Sequence, residues 1–207
     1  MTKKKTRAAL NELLQERNEY PERIDKIDAR IREVFSELHA IMVMDMSGFS
    51  RLTIKHGIIH FLAMIHRMNE IASPTIKDNE GTLVKFEADN AFAIFPDVKQ
   101  AVEASVDIMK RLSAANTMLP DELDMYGKFG IGYGEVLLIE DEDLFGAEVN
   151  LASKLGEDLA QRGEILLTEA AFSRMDKDER EYEEIVMSVS GLELIVHKIK
   201  YEGAPPC

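Results

Sequence analysis

The chain has 207 residues, 45% of them apolar, and a formal net charge of −13. That balance excludes a broad basic face for a nucleic-acid polymer, while the apolar content suffices for one core plus an extension. The one cysteine is Cys207, so no intramolecular disulfide can form, and neither a run of membrane-span length nor an apolar signal core is present near Thr2 to Arg7, so the expectation is a cytoplasmic protein without a membrane span.

Residues 1–39 are polar and helical in character, an N-terminal extension to a globular domain at 40–207. Ile24, Ile27, Ile31, Val34 and Leu38 step by three and four, a short heptad seam. Such a seam serves equally a helix packed on its own domain or a dimerisation helix, and Pro21 suits its first turn. Ile41 to Met46 reads as a buried strand, and Gly57 to Ala72 carries helical spacing through Ile58, Phe61, Leu62, Ile65 and Met68. Thr82 to Glu87 and Ala91 to Phe95 read as strands joined at Asp89-Asn90, residues that tolerate positive φ.

Val98 to Leu112 reads as a second helix. Met125 to Gly132 and Glu135 to Ile139 read as strands around Gly132-Tyr133-Gly134, followed by a helix over 148–159 and a strand over 164–167. A closing hairpin turns at Ser190-Gly191. Strand, helix, hairpin, helix, strand is the ferredoxin-like βαββαβ plan, an α+β fold with a mostly antiparallel sheet. The eleven methionines, Met42, Met44, Met64 and Met68 among them, read as core filling. His56 and His60, four apart, lack an evident third metal ligand, and His66 and His197 read as partly buried or surface residues.

Two apolar segments each release an aspartate, Asp45 and Asp89. A carboxylate leaving a buried strand needs a cation or hydrogen bonds to offset its desolvation. On neighbouring strands the two would make an oxygen-ligand site for hard divalent cations. After Asp45 the chain runs through Ser47-Gly48-Phe49-Ser50, where backbone N–H groups at a small turn can cradle phosphate. Asn150 and Lys154, four apart on one helix face, could hold a ribose and a phosphate or form a plain polar face.

These landmarks together resemble the class III nucleotidyl cyclase catalytic domain, the adenylyl and guanylyl cyclase homology family, over roughly residues 40–200. They are the strand into Asp45, Lys85 to Asp89, Gly130-Ile131-Gly132-Tyr133-Gly134-Glu135-Val136, and Asp143 to Lys154. The resemblance implies that Asp45, the Met46 backbone and Asp89 hold two Mg2+ or Mn2+ ions per site. It implies phosphate contacts at Gly48, Phe49 and Ser50. Lys85 and Asp143 fall on the base-reading positions, lysine matching the adenylyl type, whereas the guanylyl type tends to have glutamate there. Asn150 falls on the ribose-orienting position and Lys154 on the transition-state position. The implied activity is conversion of a nucleoside triphosphate, ATP first, to the 3′,5′-cyclic monophosphate and pyrophosphate at sites shared by a homodimer.

The chain departs from the pattern at three places. Lys154 stands where arginine is usual, Ser190 where a phosphate-contacting lysine is usual, and Ala88 where glycine is usual. Lysine keeps the charge but loses the bidentate fork. Two alternatives follow: a low-activity nucleotide-binding regulatory and dimerisation module of the same fold, or a cyclic pyrimidine nucleotide synthase, a product that some relatives of the family make.

Overall fold

The computed structural model describes residues 5–47, 54, 56–120, 123–140, 142–176, 180–189 and 192–204. Helices α1 (Arg7–Glu19) and α2 (Ile24–Phe35) form a hairpin that leads into strand β1 (Ser36–Met46). There follow α3 (Ile58–Asp78), β2 (Thr82–Glu87), β3 (Asn90–Phe95), α4 (Val98–Asn116) and β4 (Gly127–Ile139). The rest is β5 (Asp143–Phe145), α5 (Ala147–Ser153), β6 (Ile165–Thr168), α6 (Glu169–Phe172), β7 (Tyr182–Val189) and β8 (Leu192–Ile199). The sheet runs β2-β3-β1-β4-β6-β8-β7, with β5 beside β4. Among the described residues only β4 and β6 pair in parallel, as the mostly antiparallel plan expects.

Strand β1 lies inside the sheet, between β3 and β4, and is covered on both faces. With a side-chain period of two, Ala40, Met42, Met44 and Met46 enter a core with α3 and α4. Ile41 and Val43 point the other way, into a cluster with Val149 and Ala152 of α5. The same alternation carries Asp45 to the α5 face, at the end of its strand. Burial of a side chain such as Met42 or Met44 contributes about 1.5–3 kcal/mol, so the strand that presents Asp45 is firmly held.

Four expectations need correction. The heptad seam is not a helix surface to its end, because the helix stops at Phe35 and Leu38 lies in β1, 60% exposed. Ile27, Ile31 and Phe35 are buried against Leu10, Leu13 and Ile139, so α2 packs on its own domain. The hairpin turn sits one residue earlier than expected, at Ala88-Asp89, with Glu87 paired to Asn90. Gly132 and Gly134 make no turn: β4 is continuous, and they pair with Ile41 and His39 of β1. The helix expected over 148–159 is α-helical only to Ser153 and then π-helical from Lys154 to Leu159.

Close approach explains the glycines of β4. A Cβ on Gly130 would stand 1.9 Å from the Ala152 carbonyl oxygen, and one on Gly132 2.8 Å from that of Glu148. Alternate glycines thus open a groove on one face of β4, and α5 lies in it. The π-helical segment continues down that face, where a Cβ on Gly156 would meet the Val43 carbonyl oxygen at 2.8 Å. Its backbone is thereby delivered to the end of the sheet that carries Asp45.

Candidate active site at the end of strand 1

Asp45 pairs across the sheet with Asn90 of β3 on one side and Lys128 of β4 on the other. Asp89 immediately precedes Asn90 in the β2–β3 turn, so the ladder brings the two aspartates together. Burial pushes the Asp45 carboxyl above its ordinary value, and the Lys128 ammonium opposes this while neighbouring Asp89 adds to it. Lys128 forms an ion pair with Asp45 and also donates to the Glu157 carbonyl at 2.8 Å. The Glu157 carboxyl is likewise raised, by burial and then by Asp45. The Asn90 Oδ1 atom is buried beside this group without a hydrogen-bond donor among the described residues.

Two carboxylates and an unsatisfied amide oxygen form an acceptor-rich site, and Lys128 meets only part of its demand for positive charge. The donor set fits a hard divalent cation. Among the described residues no three His, Cys, Asp or Glu side chains converge on one point. Mg2+ is usually held by one or two carboxylates, with substrate oxygens and water completing its shell. Met46, last in β1, pairs with Gly127 and buries its side chain on the opposite face. The expected phosphate contacts at Gly48, Phe49 and Ser50 lie outside the described residues, as does Ser190.

Ala88 has φ +53° and is the first central residue of the turn that carries Asp89. An L-residue with a Cβ is strained there, and glycine is the usual solution. Ala88→Gly is expected to raise stability by about 0.5–1 kcal/mol after allowing for the greater freedom of glycine in the unfolded chain. A urea denaturation series measures this, and an unchanged or lower midpoint would show that the turn holds no such strain.

The two expected base-reading residues also meet. Lys85 on β2 places Nζ 3.0 Å from Asp143 Oδ1 on β5, and a second bond from Lys85 reaches Glu87 at 2.6 Å. For Lys85, desolvation lowers the pKa, but the bonds to Glu87 and Asp143 outweigh it and the net shift is upward. For Asp143, burial raises the pKa, yet Arg7 and Lys85 together hold the carboxyl below its ordinary range. The result is a fixed donor beside a fixed acceptor. Lys85 also lies over the Phe92 ring, 4.7 Å from its centroid.

Asn150 and Lys154 are exposed, one turn apart, and Lys154 pairs with Asp158. Among the described residues no hydrogen bond or ion pair joins either of them to Asp45, Asp89, Lys85 or Asp143. Three participants escaped the sequence reading, the first being the Asn90 side chain, which the pattern marks only as a turn residue. Lys128 stands two residues before Gly130 in a strand of alternating character, and only the register opposite Asp45 marks it. Arg7 lies in the helical extension, with no local signal pointing to the site. Of the histidines, His197 is more deeply buried than expected, stacked on Phe172 with centroids 3.6 Å apart and bonded to Glu169.

Solved structures share this architecture. The adenylate/guanylate cyclase/hydrolase of Silicibacter pomeroyi superposes with a TM-score of 0.67 at 24% identity, over 81% of this chain and 99% of that one. The adenylyl cyclase CyaB from P. aeruginosa gives 0.68 at 18% identity, over 83% and 99%. The guanylate cyclase domain of RhGC from Catenaria anguillulae, in complex with GTP, gives 0.67 at 16% identity, over 80% and 96%. The chain has the class III nucleotidyl cyclase fold. In sequence it is similar to "Putative adenylate cyclase 3" of Rhizobium meliloti (strain 1021), 29% identical over 132 residues, or 64% of this chain. The matched stretch spans 22% of that protein's length. No protein-family model matches the chain. This cyclase-fold chain has, among its described residues, no helix long and apolar enough to cross a membrane.

Proposed function

We propose that the protein is a nucleotide cyclase that converts a nucleoside triphosphate, ATP in preference to the others, to the 3′,5′-cyclic monophosphate and pyrophosphate. The observation that carries this reading is the meeting of Asp45, Asp89 and the unsatisfied Asn90 oxygen at the strand ends of a cyclase-type sheet. In the reaction the ribose 3′-oxygen forms a bond to the α-phosphorus, and the bond from that phosphorus to the bridging oxygen breaks. Pyrophosphate leaves with the electron pair, and the hydroxyl proton passes to solvent. Divalent cations held by Asp45, the Met46 backbone and Asp89 would neutralise the triphosphate and acidify the attacking hydroxyl. Asn150 orients the ribose and Lys154 faces the charge that develops on the α-phosphate.

A shared site is part of the proposal. Asn150 and Lys154 are exposed, and among the described residues neither bonds Asp45 or Asp89 of its own chain, as suits residues that complete the site of a second copy. Adenine preference rests on the Lys85 donor and the Asp143 acceptor. A site built to hydrogen-bond one base edge leaves buried polar groups unpaired with another, and discrimination can reach about four orders of magnitude.

One assay tests the reading. Purified protein is given each of the four ribonucleoside triphosphates with Mn2+, and products are resolved by mass. Cyclic AMP is the expected main product. Faster turnover of UTP or CTP would replace the adenylyl reading by the cyclic pyrimidine one. The second reading, a nucleotide-binding module with little turnover, draws on Lys154, which lacks the arginine fork and pairs with Asp158. Tight nucleotide binding without any cyclic product would establish it.

A further inference from the structure

Arg7 makes the most consequential contact that the proposed chemistry leaves unused. It is the first residue of α1, yet its guanidinium reaches Asp143 at the start of β5, 136 positions away. Nη2 donates to Asp143 Oδ2 at 2.7 Å, and Nε bonds the adjacent Glu142. The planar fork spans two consecutive carboxylates, which a lysine ammonium cannot do in the same way.

Its placement is determined by several independent contacts. Thr6 caps α1, its hydroxyl accepting from the Ala9 N–H at 3.3 Å. The Lys5 carbonyl accepts from the Glu140 N–H at 3.1 Å, and the Lys5 ammonium pairs with Glu37 of β1. Leu10 and Leu13 are buried with Ile27, Ile31 and Ile139. A cleft of about 710 Å³, however, separates the helical hairpin from Ala147 and Glu148 at the start of α5. The start of α1 thus rests on the end of β4 and on the Arg7 ion pairs, with open space towards α5.

The consequence falls on Asp143. Its Oδ1 accepts from Lys85 at 3.0 Å and from the Leu144 N–H at 2.9 Å, and its Oδ2 accepts from Arg7. A carboxylate offers about four lone-pair directions, so three donors leave one direction free and fix the plane in which it points. We infer that Arg7 is a positioning residue for base selection: it orients Asp143 so that the remaining acceptor direction faces the nucleobase, and through it the N-terminal helical hairpin governs which base is taken. This rests on the reading of Lys85 and Asp143 as the base-reading pair. Because coupling is reciprocal, a base that engages Asp143 also tightens the docking of α1.

The test is a double-mutant cycle on nucleotide binding with the full chain. Dissociation constants for 3′-deoxy-ATP, -GTP, -CTP and -UTP, which lack the attacking hydroxyl, are measured for wild type, Arg7→Ala, Asp143→Ala and the double variant. Arg7→Ala is expected to compress the ratio between the best and worst base by about tenfold, the scale of one charge-assisted hydrogen bond, and to have no further effect once Asp143 is alanine. Arg7→Lys should give an intermediate ratio, and it carries the comparison if circular dichroism shows that Arg7→Ala loosens the fold. A ratio changed by less than about twofold, or an equal change in the Asp143→Ala background, overturns the inference while nucleotide binding by the wild type stands. Wild-type protein that binds none of the four nucleotides overturns the base-site reading and this inference together.

Discussion

Asp45→Ala and Asp89→Ala are each expected to reduce cyclase turnover at least about a hundredfold while leaving the chain folded. The reason is that the two carboxylates are charged oxygen donors that the sheet brings together at the ends of β1 and β3. Turnover above a tenth of wild type in both variants would remove them from the reaction. A stability measurement separates a metal role from a folding role. Burial, then Asp89, raises the Asp45 carboxyl pKa against the opposing pull of Lys128. A carboxyl whose pKa is higher folded than unfolded contributes stability below the unfolded value, and that contribution is lost as pH rises through the folded value. At neutral pH the ionised group is therefore a cost to the metal-free protein. Asp45→Asn, which keeps an oxygen for Lys128, should melt higher than wild type in chelator at neutral pH. The gain should shrink as pH falls towards the ordinary carboxylate range. Added Mn2+ should stabilise wild type more than the variant, since a ligand that binds only the folded state raises its stability. A variant that melts lower in chelator, or gains as much from Mn2+, contradicts the assignment.

Complementation is the second large effect. Asp45→Ala and Asn150→Ala proteins are each expected to be nearly inactive. Mixed in equal amounts and allowed to exchange subunits, they should regain about a quarter of wild-type activity. Half of the dimers would then be mixed, and each mixed dimer has one of its two sites built from intact halves. The gain would follow from the proposed shared site, in which Asp45 and Asp89 would come from one copy and Asn150 and Lys154 from the other. Light scattering and a labelled-exchange control accompany the assay. Full activity from a monomer at micromolar concentration, or no recovery despite proven exchange, would rule out the shared site. The buried Ile27, Ile31 and Phe35 bear on the assembly. They are occupied within their own chain, so α2 does not offer them to a partner, and a dimer would have to use other surfaces.

Much of this protein is determined by local sequence. The alternation of Met42, Met44 and Met46 with Ile41, Val43 and Asp45 defines a strand buried on both sides whose last outward residue on one face is a carboxylate. The helical spacing of α3 and α4 and the strand lengths of β2 and β3 follow from periodicity in the same way, because side-chain direction repeats every 3.6 or 2 residues. The ordered landmarks from Asp45 to Lys154 mark candidate site residues, and the structure brings Asp45 to Asp89 and Lys85 to Asp143.

Other features were settled by tertiary contact alone. Gly132 and Gly134 carry the local signature of a turn, yet they form straight strand because α5 packs where their side chains would be. The α2 seam suits a partner helix as well as its own domain, and only the tertiary structure shows that Ile27, Ile31 and Phe35 are buried against Leu13 and Ile139 of the same chain. Lys128 meets Asp45 through strand register, and Arg7 meets Asp143 across 136 positions of chain. Local periodicity fixes which way a side chain points, but not what stands opposite it. That depends on how distant segments close on one another, where packing and desolvation select one partner among many equally compatible with the local pattern.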